Sequence, residues 1–215
     1  MSADGVRVLL VGATGLVGGH VLDRLLTEPR VTRVVAPVRR PLPRRAARLD
    51  APVVDFEALP DDASMWGVDA VICTLGTTMR VAGSRDAFRR VDHDYPLAIA
   101  THARRHGARA CALTSAMGAD AQSRFFYNRV KGELETALQA QGWPSLTLVR
   151  PGLIGGDRRE ARAAERAAAV VLGAVGPVLP KRWRISPAAH IADALVGYAL
   201  AAAPGCRVVG AAELA

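Results

Sequence analysis

A tyrosine and a lysine four residues apart offer the clearest chemistry in this sequence. Tyr127 and Lys131 fall on a predicted helix over Phe126–Gln141, and this spacing places their Cβ atoms about 6 Å apart on one face. An ammonium group beside a phenol stabilises the phenolate, so it should lower a pKa that is ordinarily about 10. Tyr127 is then a candidate general acid–base. Ser115, at the end of a predicted strand, is a candidate for orienting a substrate oxygen. The alternative is a surface pair on an amphipathic helix.

Three glycines at intervals of three form a second candidate site near the start of the chain. Gly12, Gly15 and Gly18 stand between a predicted strand over Val6–Val11 and a predicted helix over Leu16–Leu26. The first glycine permits a tight bend, the second lets the backbone approach a pyrophosphate, and the third lets the helix pack closely on the strand. The N–H groups of the helix N-terminus attract the anion. We therefore predict a dinucleotide site, the alternative being a purely structural turn.

Arginines follow the second predicted strand, Val31–Val38. An NAD site ordinarily has an acidic residue at the end of this strand for the ribose hydroxyls, whereas this chain has Arg39 and Arg40 and no acid there. Arginine suits the 2′-phosphate of NADP because it forms charge-assisted hydrogen bonds with phosphate. We predict that NADP(H) is favoured over NAD(H). The alternative is a solvated loop that also contains Arg44, Arg45 and Arg48.

Short apolar segments alternate with segments of helical periodicity along the chain. Strands that are apolar throughout and alternate with helices are typical of a parallel sheet covered on both faces. We therefore predict one doubly wound α/β domain over residues 1–215, with its ligand outside the carboxyl ends of the strands. Residues 156–215 are expected to supply a small substrate cap and the final helices. The predicted strands are Val6–Val11, Val31–Val38, Ala51–Val54, Val68–Leu75, Arg109–Ser115, Leu146–Val149 and Arg207–Val209. The predicted helices are Leu16–Leu26, Asp86–His106, Phe126–Gln141, Arg159–Leu172 and Ala188–Ala202.

The composition narrows the class of protein. Of the 215 residues, 50% are hydrophobic and 22% are charged, which excludes wholesale disorder. The formal net charge is +8, but most arginines are scattered, often beside acidic residues, so we expect no nucleic-acid partner. Three cysteines argue against a disulfide framework, and no apolar stretch is long enough to span a membrane. We expect a cytoplasmic protein without a signal peptide.

Several motifs together resemble an atypical short-chain dehydrogenase/reductase. They are Gly12-Ala-Thr-Gly15-Leu-Val-Gly18, Leu113-Thr-Ser115-Ala-Met-Gly118, Tyr127-x-x-x-Lys131 and Arg150-Pro151-Gly152. The sequence resembles the Tat-interacting-protein oxidoreductase-like subgroup more closely. That resemblance lies in Cys73-Thr-Leu-Gly76-Thr77-Thr78, Val91-Asp92-His-Asp94-Tyr95, Ser115-Ala-Met-Gly-Ala-Asp120 and Tyr127-Asn-Arg-Val-Lys-Gly132-Glu133.

The resemblance implies an NAD(P)-binding Rossmann fold with NADP(H) across the edge of the sheet. Tyr127 would pass a proton to or from the substrate oxygen while hydride moves at the nicotinamide, and Lys131 would also hold the nicotinamide ribose. Asp55 and Phe56, after the third predicted strand, are where the adenine is expected to rest. The residues predicted to contact the dinucleotide are Gly12, Thr14, Gly15, Leu16, Val17, Gly18, Arg39, Arg40, Asp55, Phe56, Leu75, Gly76, Thr77, Thr114, Tyr127, Lys131, Pro151, Gly152 and Leu153.

The sequence departs from the family pattern at Asp92. Many relatives have an asparagine near this position, so a part in a proton relay is left open. We expect a small-molecule substrate, and a protein partner or a homodimer stays open. Two other functions also stay open: a non-catalytic NADP(H)-binding module that reports redox state to a protein, and an epimerase or dehydratase of nucleotide sugars.

Two features outside these motifs are further candidates for function. His102 and His106 stand four residues apart on a predicted helix, but no third ligand is near them in the sequence, so we predict no metal site. The apolar run Ala167–Leu179 is expected to be a helix and loop that close over the active site. Trp183 would form a wall of the pocket, the alternative being that this segment is plain core.

Overall fold

A computed structural model describes residues 5–155 and 185–215. Within these residues, seven strands form one parallel sheet in the order β3-β2-β1-β4-β5-β6-β9. The strands of this sheet are β1 (Val6–Val11), β2 (Val31–Val35), β3 (Leu49–Asp50), β4 (Ala70–Cys73), β5 (Ala110–Thr114), β6 (Ser145–Arg150) and β9 (Gly205–Gly210). A second, two-stranded parallel sheet pairs β7 (Ile154–Gly155) with β8 (Ser186–Pro187).

Helices cover both faces of the large sheet, so the predicted doubly wound α/β architecture is confirmed. The described helices are α1 (Leu16–Thr27), α2 (Ala63–Trp66), α3 (Met79–Ala82), α4 (Arg85–Arg89), α5 (Tyr95–Arg105), α6 (Phe126–Ala140) and α7 (Ala188–Ala201). On one face of the sheet, α1 and α7 pack with Val8 and Leu10 of β1 in one apolar cluster. On the other face, α5 and α6 share a second cluster with β4 and β5. Burial on both faces explains why the strands are apolar throughout.

The prediction of a third strand over Ala51–Val54 is wrong. The strand beside β2 is the short β3, and Val53 joins the sheet only through an isolated bridge to Val38. Pro52 interrupts the predicted segment because it has no N–H to donate to a neighbouring strand.

The single helix predicted over Asp86–His106 is three elements. A π-helical turn, Arg90–Asp94, joins α4 to α5. Pro96 stands in the first turn of α5 and cannot donate a hydrogen bond to the carbonyl four residues earlier. π-helical turns of this kind are frequent at functional sites, and this one carries Asp92 into the interior.

The last part of the chain completes the core. The predicted helix over Ala188–Ala202 is confirmed as α7, which buries Ile191 and Leu195. The predicted strand Arg207–Val209 is the centre of β9, which pairs with β6. The expectations for Arg159–Leu172, Ala167–Leu179 and Trp183 fall outside the described residues. Among the described helices, none is long and apolar enough to cross a membrane.

Candidate active site

The motifs meet at the carboxyl edge of the large sheet. In the register of the sheet, Val11 lies opposite Cys73, Cys73 opposite Leu113, and Leu113 opposite Leu148. Because these strands are parallel, the segments that follow them emerge side by side. The glycine turn, the loop after β4, Ser115 and the loop after β6 therefore lie along one edge.

The glycine turn is built for close approach of backbone to backbone. Gly12 has a φ of +88°, and a Cβ on Gly18 would lie 2.0 Å from the carbonyl oxygen of Gly12. Gly15, by contrast, is exposed, and a Cβ there would meet only the Gly12 oxygen, at 3.3 Å. Gly15 is also the N-cap of α1 and gives no side-chain cap, which leaves the first N–H groups of the helix available to an anion. These residues fit a pyrophosphate.

The side chains around this turn divide by burial. Thr14 is exposed, Leu16 is partly buried and Val17 is buried in the core beside the sheet. Leu16 and Val17 would therefore serve a bound pyrophosphate through their backbone N–H groups rather than through their side chains.

The five arginines after β2 fall into two groups. Arg44 forms an ion pair with Asp23, and Arg48 donates hydrogen bonds to the carbonyl oxygens of Glu28 and Val31 at 3.0 and 2.7 Å. Arg39, Arg40 and Arg45 are exposed, and none of the three enters an ion pair within residues 5–155 and 185–215. Arg39 and Arg40 follow β2 at the same edge of the sheet where Gly12 follows β1, and their contact with a 2′-phosphate stays a prediction.

The two residues predicted to contact adenine are placed differently from one another. Asp55 is exposed, and its Oδ1 accepts the N–H of Glu57 at 2.9 Å. Phe56 is buried in the core, with its ring centroid 5.7 Å from that of Tyr95. The ring of Phe56 packs against Tyr95, and contact of Asp55 and Phe56 with adenine stays a prediction.

Tyr127 and Lys131 lie on α6 as predicted, and α6 is fixed tightly against the preceding loop. A Cβ on Gly132 would lie 2.2 Å from the backbone of Asp120 and Ala121, so no larger residue fits there without moving the helix. Tyr127 is 39% exposed and its ring packs 5.6 Å from that of Phe88. The phenol is thus held from one side and open to a ligand from the other.

Asp92 is the partner of Lys131. Lys131 Nζ lies 2.8 Å from Asp92 Oδ1, and the two side chains are 4% and 1% exposed. Asp92 Oδ2 accepts the backbone N–H of Thr77 at 2.8 Å. The sequence left the role of Asp92 open, although an acid in line with the buried Phe88 and Ile99 at helical spacing was a signal that it points inward.

The expected fall in the pKa of Tyr127 is wrong. Burial raises the pKa of this phenol above its ordinary value; Lys131 acts to lower it, and Asp92 acts to raise it. For Lys131, burial acts to lower the pKa, but Asp92 and Tyr127 together raise it above the ordinary value. Lys131 is therefore a charged ammonium whose effect on the phenol is opposed by its own partner.

Ser115 is bonded to a residue that sequence reasoning missed. Its Oγ donates to Glu135 Oε1, and both side chains are buried. Glu135 also accepts from both Nε and Nη2 of Arg150, the former at 2.9 Å. Because a carboxylate only accepts hydrogen bonds, Ser115 presents lone pairs rather than its proton to any further partner. Glu135 follows Lys131 by four residues, a spacing that already placed it on the face of Tyr127.

The remaining predicted contacts line the same edge. Gly76 lies beside the ion pair, since a Cβ there would be 3.5 Å from Asp92 Oδ1. Thr114 Oγ1 is buried and has no hydrogen-bond partner within the described part of the chain. The other positions here are partly buried or form local contacts: Leu75 and Thr77 are partly buried, the Pro151 carbonyl accepts from Met117, Gly152 donates to Ser186, and Leu153 is exposed.

Comparison with known proteins places the chain in a family. The family described as NAD(P)H-binding matches residues 12–175. Protein fmp52, mitochondrial, of Emericella nidulans is 39% identical over 182 residues, which cover 80% of this chain and 77% of the relative. Protein HTATIP2 of Rattus norvegicus is 37% identical over 180 residues, covering 82% of this chain and 72% of the relative. These relatives confirm the predicted resemblance.

The likeness to solved structures concerns the fold. MoeE5 in complex with UDP-glucose and NAD has a TM-score of 0.73 at 17% identity, covering 96% of this chain and 76% of that one. A heptose-6-epimerase from Helicobacter pylori has a TM-score of 0.69 at 14% identity, covering 96% of this chain and 77% of that one.

The expectation of a cytoplasmic protein is contradicted by these comparisons. Relatives from Emericella nidulans, Aspergillus clavatus, Aspergillus fumigatus and Eremothecium gossypii are all named mitochondrial. The names of the relatives thus point to the mitochondrion, and the composition on which the expectation rested does not distinguish the two compartments. By its family match and its relatives, the chain belongs to the NAD(P)H-binding family, and it has the Rossmann fold of an atypical short-chain dehydrogenase/reductase.

Proposed function

We propose that the protein is an NADP(H)-dependent oxidoreductase that acts on a small carbonyl or alcohol substrate. The observation that carries this proposal is the position of Tyr127. Its half-exposed phenol lies beside the buried pair of Lys131 and Asp92, at the sheet edge where the glycine turn also opens. A proton donor next to a dinucleotide site is what a carbonyl reductase requires.

The described residues offer a place for each charged part of the dinucleotide. The N-terminus of α1 would hold the pyrophosphate, and Arg39 and Arg40 would hold the 2′-phosphate that distinguishes NADP from NAD. The buried hydroxyl of Thr114 and the open face of Gly76 fit the ribose and nicotinamide end. When bound, NADPH supplies the hydride.

The side chains of this protein supply the proton. Tyr127 donates its phenolic proton to the carbonyl oxygen, which becomes the hydroxyl of the product alcohol as carbon gains the hydride. Lys131 stabilises the phenolate that remains until it regains a proton from water. Ser115, whose proton is engaged by Glu135, accepts a hydrogen bond and so orients either the phenol or a substrate hydroxyl.

A screen of small aldehydes and ketones with NADPH tests this function. For any substrate found, we expect Tyr127→Phe to lower kcat by about 100-fold or more, the range for loss of a general acid, with NADPH affinity retained. Tyr198→Phe is the matched control, because Tyr198 stacks with Arg207 away from this edge and should keep full activity. Full turnover by Tyr127→Phe would reject the mechanism.

The same screen distinguishes the alternative of a non-catalytic NADP(H)-binding module. Such a module would bind NADPH but turn over none of the carbonyls. A nucleotide-sugar epimerase would instead retain tightly bound NAD through purification.

A further inference from the structure

Asp92 and Lys131 form a buried ion pair beside the candidate proton donor. Lys131 Nζ lies 2.8 Å from one oxygen of Asp92, and the other oxygen is fixed by the N–H of Thr77 at 2.8 Å. The carboxylate is held at one oxygen by the ion pair and at the other by a hydrogen bond, so it cannot turn away from the ammonium without losing the hydrogen bond from Thr77. Charges buried in this way are screened only weakly by water.

The two charges of the pair act on Tyr127 in opposite senses. Lys131 favours the phenolate, and Asp92 favours the phenol. A lysine that lacked such a partner would draw the phenol towards ionisation. A lysine bonded to a carboxylate presents to Tyr127 a pair whose net charge is zero.

We propose that Asp92 is a positioning residue that offsets the charge of Lys131 and so keeps Tyr127 in its proton-donating form, which equips the site for carbonyl reduction even in alkaline solution. The catalytic meaning of this inference rests on the proposed function, because reduction is the direction that consumes a proton from Tyr127. The charge balance itself does not depend on any substrate.

Other titratable groups on β4 and on α6 do not offset the charge of Lys131. From β4, the thiol of Cys73 faces the pair, but burial raises the pKa of Cys73 to about 11, so the thiol is neutral. On α6 itself, Glu135 is neutralised by Arg150 and bonded to Ser115. These groups leave Asp92 as the counter-charge of the ammonium.

Several charged or titratable groups on the helical elements packed against α6 are engaged in other contacts, and Arg85 of α4 lies over the ring of Phe126, 5.2 Å from its centroid. On the π-helical turn, His93 is bonded to Asp94. Arg89 of α4 pairs with Glu133 on the outer side of α6, and Tyr95 of α5 is bonded to Glu57.

The ultraviolet absorbance of tyrosinate tests the proposal in the cofactor-free protein. The chain has three tyrosines, so subtracting the titration of Tyr127→Phe in the same background isolates Tyr127. Asp92→Asn removes the counter-charge alone, whereas Asp92→Asn combined with Lys131→Met removes both charges. We expect the midpoint of Tyr127 to move to lower pH in Asp92→Asn and to stay close to the wild-type value in the double variant.

An unchanged midpoint in Asp92→Asn would overturn the proposal. If that variant does not fold, the double variant still decides, because it leaves no unpaired charge in the interior. A midpoint well above that of the wild type would then show that the ammonium is not offset.

The titration uses no substrate and no dinucleotide, so its failure rejects the role of Asp92 alone, whereas an empty carbonyl screen rejects the proposed function. Where reductase activity is found, Asp92→Asn should lose it at a lower pH than the wild type does. A merely structural role for Asp92 would lower activity without moving the pH profile.

Discussion

At the scale of single residues, the protonation of Tyr127 sets the pH dependence of any reaction. Its pKa is raised above the ordinary value of about 10 because burial and Asp92 outweigh Lys131. The phenol is the acid for reduction and the phenolate is the base for oxidation. We therefore expect the reduction rate to stay constant from about pH 7 to about pH 9, well below this pKa. Alcohol oxidation should accelerate over the same range as the phenolate fraction grows. Initial rates in both directions measure this, and a reduction rate that falls with pH there would contradict it.

A second prediction at the scale of single residues concerns the contribution of Glu135 to stability. Glu135→Ala leaves the buried hydroxyl of Ser115 without its acceptor and Arg150 without its carboxylate, which should cost about 1–3 kcal/mol of unfolding free energy. The matched control is Glu133→Ala on the same helix. Its partner Arg89 is 42% exposed, so this change should cost about 0–1 kcal/mol. Urea denaturation compares the two, and equal losses would show that the buried contacts of Glu135 are not the stabilising ones.

How far the sequence predicts the site depends on the range of each contact. Tyr127 and Lys131 are four residues apart, so helical periodicity alone brings them together. Asp92 and Glu135 were not assigned, because their partners Lys131 and Ser115 lie 39 and 20 residues away in the chain, and only packing of α6 against the sheet makes the contacts.

At the scale of elements, the first turn of α1 packs so closely against the glycine turn that it leaves no room for a side chain at Gly18. A Cβ on Gly18 would lie 2.0 Å from the Gly12 oxygen and 2.7 Å from Thr74 Oγ1. We expect Gly18→Ala to push α1 away from β1, to cost about 1–3 kcal/mol as overpacking does, and to weaken NADPH binding. Gly19→Ala is the control, because its Cβ would meet nothing within 4 Å and alanine favours a helix. Urea denaturation and NADPH titration compare the two variants. Equal stability and equal NADPH affinity of Gly18→Ala and Gly19→Ala would refute the packing argument.

The sequence predicts elements well where burial is uniform and poorly where local geometry changes. The apolar runs of β1, β4 and β5 follow directly from a sheet covered on both faces. The π-helical turn at Arg90–Asp94 adds about one residue to a single turn, and a hydrophobic pattern read at one fixed period does not reveal such a local change. The loss of pairing around Pro52 follows from the missing N–H of proline, but only once the partner strand is known.

At the scale of the whole molecule, the two ends of the described chain share one core. Helix α7 packs against α1 and the sheet, with Ile191 and Leu195 fully buried. Ile191→Ala should therefore cost about 2–5 kcal/mol and, through α1, loosen the dinucleotide turn. Asp193→Asn on the same helix, which removes an exposed pair with Arg24, should cost about 0–1 kcal/mol. Urea denaturation of the two variants measures the difference. If Ile191→Ala proves as mild as Asp193→Asn, α7 is not an integral part of this core.

Titration of the protein with NADPH and with NADH, followed by nicotinamide fluorescence, tests the central claim most directly. Bound nucleotide must be removed first. We expect NADPH to bind about tenfold more tightly or better, since one charge-assisted hydrogen bond to the 2′-phosphate corresponds to about 1.5 kcal/mol or more. The combined Arg39→Ser and Arg40→Ser variant should lose this preference while NADH affinity is unchanged. Arg44→Ser, which removes an arginine already paired with Asp23, should keep it. Equal affinities, a preference for NADH, or binding of neither nucleotide by the wild-type protein would contradict the account.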